Sequence, residues 1–197
     1  MSQAIARHDR EVRKLAYTDA LTGLANRLAF RQTLEARMAA IPDADQRLAL
    51  LFVDLDDFKR VNDTLGHEAG DEVLLRFVER IKTAVGLYGG ADSLLARFGG
   101  DEFVILLADG DAAASALRLA EELVVELSKP LSLSGRDVFL GSSIGITVFP
   151  DDAVDATGLL KNGDIAMYQA KLAGKNCYRY YSRAMDHAVE RRVHMEQ

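Results

Sequence analysis

The segment that most restricts the fold is Arg47-Leu-Ala-Leu-Leu-Phe-Val53, a nearly unbroken apolar run closed by Asp54. A strand of alternating character can leave one face in water, whereas a run like this needs cover on both. It calls for a sheet sandwiched between other layers, and it places a carboxylate where the core ends. The flanking signals are mixed. Residues 2–17 carry Ile5, Val12 and Leu15 at positions compatible with one helical stripe, with His8 interrupting the seam. Asp19, Thr22, Gly23 and Asn26 break that period before a helix over 28–40, which Pro42 and Asp43 close.

Helices follow over 58–65 and 68–85, parted by Gly66. The second sets Val73, Leu74, Phe77, Val78 and Ile81 on one side and ends at Gly86, Gly89 and Gly90. Two apolar runs, 94–98 and 103–107, flank Gly99-Gly-Asp-Glu102 as a hairpin. A helix over 112–127 stops before Pro130, a strand runs from Val138 to Phe149, a helix covers 156–173, and a short strand spans 177–181. Ser182 is a candidate cap for a last helix running on to Gln197. Strands and helices without strict βαβ alternation predict an α+β fold around a mainly antiparallel sheet. A chain of 197 residues, 49% of them hydrophobic, suits one domain with short extensions.

Charge and cysteine usage exclude some functions. With 24 basic against 30 acidic side chains, a broad nucleic-acid-binding face is not expected, so a polyanionic ligand must meet a local basic cluster. The single cysteine, Cys177, excludes an intramolecular disulfide and a cysteine-rich zinc site, and it suits a reducing cytosol. No window reaches the roughly 18 apolar residues of a membrane span. The segment is therefore expected to make no membrane contact and to lie in the cytoplasm, although a longer parent protein can still be membrane-anchored.

The acids suggest a chemistry. If the strand ending at Asp54 neighbours the hairpin, Asp54, Asp101 and Glu102 converge on one sheet edge. Hard oxygen ligands with no His or Cys beside them suit Mg2+ or Mn2+ shared with substrate phosphates. Gly99 and Gly100 let a ligand approach the backbone, but the same four residues also describe a plain solvated turn. Asp57, Phe58 and Lys59 open a helix whose first N–H groups and lysine are placed to receive phosphate oxygens. Lys171 and Lys175, four apart at a helix end, can share one side, or can simply be lysines favourable at a helix C-terminus. Asn62 and Asp71 offer an amide and a carboxylate that together can read guanine, and each also serves as an ordinary cap. His67 lies in a turn with no second histidine nearby, which favours a local hydrogen bond over metal ligation.

Arg97-Phe-Gly-Gly-Asp-Glu-Phe103 resembles the signature of the GGDEF family of diguanylate cyclases. So do Asp19-Ala-Leu-Thr-Gly-Leu-Ala-Asn-Arg27, Asp54-Leu-Asp-Asp-Phe-Lys-Arg-Val-Asn-Asp63, Gly66-His-Glu-Ala-Gly-Asp71, Ser143-Ile-Gly-Ile-Thr147 and Asp164-Ile-Ala-Met-Tyr-Gln-Ala-Lys171, in family order. The resemblance implies a nucleotidyl cyclase or palm-like fold, a five-stranded mainly antiparallel sheet flanked by helices and carrying a GGDEF hairpin. It implies a linker helix over 1–18, the catalytic domain over 19–181 and the start of a C-terminal linker helix over 182–197.

By the same resemblance Asp54, the Leu55 carbonyl, Asp101 and Glu102 hold the metal. Asn62 and Asp71 read guanine. Lys59, Lys171 and Lys175 face phosphates, together with Asp57, Phe58, Gly99 and Gly100 around the substrate. Asp101, Glu102 and Lys59 carry the chemistry, with Asp101 accepting the hydroxyl proton. The implied reaction joins two GTP into cyclic di-GMP and two pyrophosphates at a site shared across a homodimer. Residues 181–197 resemble a linker to an EAL phosphodiesterase domain, which implies excision from a longer protein with a sensor before it. The alternative is a GTP-binding regulatory domain that controls an attached EAL phosphodiesterase.

Two departures matter. Gly174-Lys-Asn176 has lysine where the family commonly has arginine, which keeps the charge and loses bidentate geometry. The stretch that corresponds to the Arg-x-x-Asp product-binding site reads Gly90-Ala-Asp-Ser93, so weak or absent feedback inhibition is expected. Cyclic di-GMP titrated into a cyclase assay checks this, and a shutdown of turnover at low micromolar product overturns it.

Overall fold

The computed structural model describes residues 2–41 and 45–182. In chain order the elements are α1 (Ser2–Tyr17), α2 (Arg27–Ala39), β1 (Leu48–Leu55), α3 (Phe58–Leu65), α4 (His67–Tyr88), β2 (Leu94–Gly99) and β3 (Glu102–Leu107). They continue with α5 (Ala112–Ser128), β4 (Leu131–Leu133), β5 (Arg136–Val138), β6 (Ser142–Phe149), α6 (Ala156–Leu172) and β7 (Cys177–Tyr180). Five strands form one sheet in the order β2-β3-β1-β6-β7. β1 runs antiparallel to both β3 and β6, β2 to β3, and only β7 lies parallel to its neighbour. This is the mainly antiparallel α+β sheet expected.

The apolar run becomes the middle strand, with every residue of β1 buried. Alternation along it feeds two cores. Ala49, Leu51, Val53 and Leu55 pack with Phe77 and Ile81 of α4 and Leu119 and Leu123 of α5. Leu48, Leu50 and Phe52 pack on the other side with Phe30 and Leu34 of α2 and Leu159 and Met167 of α6. Asp54 continues the second series, so its carboxylate belongs to the α2 and α6 side of the sheet.

Three expectations change. Gly86 does not end α4, which runs on to Tyr88 and is capped at Gly89; burial of Ala84 and Val85 outweighs the ~1 kcal/mol that a helical glycine costs. The strand drawn from Val138 to Phe149 is two elements. Arg136–Val138 pairs with Leu131–Leu133 as a separate ribbon, because Ser134 and Gly135 both take positive φ, at 51° and 79°, and close a tight hairpin. Lys175 is not on the preceding helix, which ends at Leu172.

Helix α1 forms over the expected residues, and Gln3 to Tyr17 are all exposed, Ile5, Val12 and Leu15 included. Pro42 and Asp43, and the linker helix expected beyond Ser182, lie outside the described residues. Among those described, no helix is long and apolar enough to cross a membrane.

Helix α6 lies close on the sheet because its contact is built from glycine. A Cβ at Gly145 of β6 would stand 2.3 Å from the Met167 amide nitrogen and 2.4 Å from the Gly163 carbonyl. Gly145→Ala is accordingly expected to cost about 1–3 kcal/mol of stability through overpacking. Denaturant titration checks it, and an unchanged midpoint contradicts the backbone contact.

Candidate active site

Strand pairing brings the distant acids together. In the β1–β3 ladder Asp54 stands opposite Glu102, and the Leu55 amide donates to the Asp101 carbonyl at 3.2 Å. The three carboxylates therefore gather at the ends of two interior strands, not on the outer edge of the sheet, because β2 and β6 flank the pair. Asp54 is only 5% exposed. Its Oδ2 lies 2.8 Å from the Lys171 ammonium, while its Oδ1 is buried without a hydrogen-bond partner.

A buried carboxylate that is only half satisfied is hard to ionise. Burial, with the Asp101 charge adding to it, raises the Asp54 pKa to about 6 against the pull of Lys171. Glu102 is raised by burial and then by the charges of Asp164 and Asp54, with Arg27 and Lys171 opposing. Asp164 on α6, part of whose side chain reaches solvent, is raised by burial with Arg27 opposing. Burial pulls the Lys171 ammonium down, but its contact with Asp54 wins and raises it.

Among the described residues no three acids, histidines or cysteines form a ready-made metal cage. The orphaned Asp54 oxygen opposite Glu102 is nevertheless a hard donor in need of a partner, and a divalent cation of the Mg2+ or Mn2+ type fits that donor set. The Leu55 side chain is fully buried, so only its carbonyl is a candidate ligand.

The hairpin turn is braced from below. Gly99 and Gly100 both have positive φ, at 143° and 48°, with a bulge between Arg97 and Gly99. Arg97 donates through Nε and Nη2 to the Gly100 carbonyl at 3.0 and 2.7 Å. Its Nη1 reaches both oxygens of Asp19 at 3.2 and 3.1 Å. Asp19 also accepts from the Thr22 amide and hydroxyl. These contacts outweigh its burial and hold its pKa low. Arg97 thus locks the shape of the turn onto the loop before α2.

The other candidates surround the corner between β1 and α3. Asp57 takes the left-handed conformation, with φ at 60°, and its side chain does not cap α3. Instead its Oδ1 accepts from Lys175 Nζ at 2.8 Å, which holds its pKa low. The Phe58 side chain is in the core, so only its backbone N–H can meet a ligand, and Lys59 is exposed. Asn62 Oδ1 is buried without a partner against α4, where a Cβ at Gly70 would come within 1.7 Å of it. That close approach leaves room for the amide only beside a glycine, and it sets Asn62 next to exposed Asp71.

Lys171 and Lys175 do converge, by different routes from the shared helix face expected. Lys171 comes from the last turn of α6 and Lys175 from the reversal after it, and each is tied to an acid of the same corner. His67 starts α4 and is exposed. Cys177 is a partly buried strand residue whose thiol donates to the Ala170 carbonyl at 3.3 Å.

Reading residues one by one misses several members of this cluster. Asp19, Arg27, Arg97 and Asp164 stand inside the motif blocks without an assigned role. The buried Asp56 carboxylate joins buried Ser143 to the backbone of exposed Asn176, and these parts are far apart in sequence. A carboxylate directly after an apolar strand, two residues beyond Asp54, is the one local sign of it.

A palm-like sheet with acids at the ends of its middle strands, beside a lysine-bearing corner, defines a nucleotidyl-cyclase type of domain. The family model described as "Diguanylate cyclase, GGDEF domain" matches residues 16–177, and the chain belongs to that family. It is 40% identical over 186 residues to the bifunctional diguanylate cyclase/cyclic di-GMP phosphodiesterase MucR of Pseudomonas aeruginosa, covering 94% of this chain and 26% of MucR. The solved GGDEF domain of TpbB (YfiN) from Pseudomonas aeruginosa is 36% identical with a TM-score of 0.82, covering 88% of this chain and 99% of that one. The coiled coil and GGDEF domain of DgcB from Caulobacter crescentus, solved with c-di-GMP, is 28% identical with a TM-score of 0.75, covering 91% and 93%. The chain spans about a quarter of the length of curated relatives such as MucR, which are longer signalling proteins.

Burial of Asp54 carries a pH signature. With a folded pKa of about 6 against 3.8 for the free group, the folded state holds the proton more tightly than the unfolded one. Ionised Asp54 therefore costs stability at neutral pH, and that cost is withdrawn as pH falls through 6 toward 3.8. Asp54→Asn, melted in chelator beside the wild type, is expected to gain more in thermal midpoint at pH 7.5 than at pH 5. A difference that is flat across this range contradicts the assignment.

Proposed function

We propose that this domain condenses two GTP molecules into cyclic di-GMP, releasing two pyrophosphates. The observation that carries the reading is Asp54 set opposite Glu102 with one carboxylate oxygen buried and unpartnered. Such an oxygen is costly unless a cation completes it. Asp54, the Leu55 carbonyl, Asp101 and Glu102 are the residues that would hold Mg2+ or Mn2+. When bound, the ion supplies positive charge to the reacting phosphate oxygens.

The chain's own groups then bind and orient the nucleotide. Asn62 and Asp71 take the guanine edge, the amide donating toward O6 and N7 and the carboxylate accepting from N1–H and the exocyclic amine. Lys59, Lys171, Lys175 and the backbone at Asp57, Phe58, Gly99 and Gly100 take the phosphates. Asp101 accepts the proton of the attacking 3′-hydroxyl. Among the described residues there is one such set, so two GTP meet when two chains face each other as a homodimer. Alignment of the 3′-hydroxyl with the opposite α-phosphorus then supplies much of the rate.

In the parent protein a sensor precedes this domain and an EAL phosphodiesterase follows it; the pairing of cyclase and phosphodiesterase activities named for MucR supports the second of these. The cytoplasm, where GTP is available, is the compartment this chemistry fits. The chain joined to a constitutive dimeriser at its N-terminus, given GTP and Mg2+, is expected to yield cyclic di-GMP and pyrophosphate. Glu102→Ala is expected to lower turnover at least about 100-fold, the scale of losing one charge-stabilising group. Product that persists in that variant sinks the assignment, and GTP binding with no pyrophosphate from the wild type points to the regulatory alternative.

A further inference from the structure

Asp56 lies between two candidate ligand-binding residues yet faces away from solvent. It is 4% exposed. Its own amide donates to the Gly141 carbonyl at 2.9 Å. Its Oδ1 accepts from the Ser143 hydroxyl at 2.6 Å, and its Oδ2 accepts from the Asn176 amide at 2.8 Å. One buried carboxylate thus joins the end of β1, the start of β6 and the reversal between α6 and β7. Gly141 leaves no slack in this knot, since a Cβ there would come within 2.9 Å of Asn176 Oδ1 and 3.0 Å of Asp56 Oδ2.

The reversal it holds has an unusual backbone. Gly174, Lys175 and Asn176 follow one another with positive φ, at 119°, 65° and 48°. Glycine and asparagine accept that region readily, and lysine accepts it only where its surroundings over-determine it. Asp56 supplies part of that determination by fixing the Asn176 amide. The Lys175 amide, donating to the Ala170 carbonyl at 3.1 Å, and the Gly174 amide, donating to the Lys171 carbonyl at 3.3 Å, add to it. The outcome is that Lys175 Nζ reaches over β1 to Asp57.

We propose that Asp56 is a positioning residue that fixes Lys175, and with it the phosphate side of the site, by clamping the Asn176 amide and the Ser143 hydroxyl. This rests on the GTP reading above. Asp56 is placed as a brace and not as a ligand, since it is 4% exposed and each of its oxygens is turned to the protein. Removing it leaves the Ser143 hydroxyl, fully buried, and the Asn176 amide without an acceptor. Asparagine in its place can turn its oxygen to the Asn176 amide and its NH2 to the Ser143 oxygen, so it preserves the clamp.

The test is calorimetric binding of a non-hydrolysable GTP analogue, and separately of guanosine, with Mg2+ present. Asp56→Ala is expected to weaken the analogue about tenfold, the scale of losing a hydrogen bond to a charged group, with guanosine binding unchanged. Asp56→Asn is expected to bind as wild type does. Lys175→Ala is expected to match Asp56→Ala, and the double variant to lose no more than either. Equal loss for analogue and guanosine, an additive double variant, or no loss in Asp56→Ala overturns the proposal. If Asp56→Ala does not fold, amide hydrogen exchange on the wild type decides: Asn176 must be protected, and exchange at the rate of an open loop overturns the clamp. A wild type that fails to bind the analogue while Asn176 is protected counts against the GTP reading, not against the clamp.

Discussion

The structure turns on a carboxylate placed at the end of a strand that is buried on both faces. β1 cannot be an edge or surface strand, because all eight of its residues are covered. Whatever follows the run inherits that burial, and Asp54 is held 5% exposed with one oxygen on Lys171 and the other on nothing. Ionising such a group costs free energy that its one lysine only partly offsets. The neighbourhood makes sense as a response to that cost. Lys171 leans in from α6, Glu102 is brought opposite by strand register, and the β2–β3 turn is pinned by Arg97 so that Asp101 and Glu102 keep their places.

The acids of the domain divide by what surrounds them. Asp19 and Asp57 are held low by cations and hydrogen bonds, and both act as braces, one beneath the hairpin turn and one under Lys175. Asp54, Glu102 and Asp164 are raised by burial and by one another. A raised pKa alone does not mark a site, since Asp152 is raised by burial as well and accepts the Val148 amide at the far end of β6. Asp152 feels the charge of only its chain neighbour Asp151, whereas Asp54, Glu102 and Asp164 come from three different elements and meet at one place, which an ordinary fold avoids unless a ligand repays it.

Much of the fold is legible in the chain because it is local. The apolar run closed by Asp54, the two runs around Gly99-Gly100 and the one-sided pattern from Val73 to Ile81 each need only their own neighbours to be read. The ribbon of Leu131–Leu133 and Arg136–Val138 carries a turn signal in Ser134-Gly135, but its strands are three residues each, too short to stand out from a loop. The end of α4 is a different case, because Gly86 is a genuine breaker locally and is overruled by side chains packing from α5 and the sheet. Site residues divide the same way. Asp54, Asp101 and Glu102 stand out as acids bordering apolar strands. Asp56 does not, because its meaning depends on Ser143 and Asn176, which only the tertiary fold delivers.

This last contrast bears on how the site keeps its geometry. The groups proposed to meet phosphate sit on flexible side chains, Lys59, Lys171 and Lys175, whose positions nothing in their own sequence determines. The backbone under them is determined with unusual strictness. Asp57, Lys175 and Asn176 are all left-handed without being glycine, and each is tied by a carboxylate contact within one corner. Strain of this kind persists only where the surrounding contacts outweigh it. The corner is therefore a place where stability has been given up for position, and the buried Asp56 carboxylate keeps the two halves of that arrangement, β1–α3 and α6–β7, from relaxing independently.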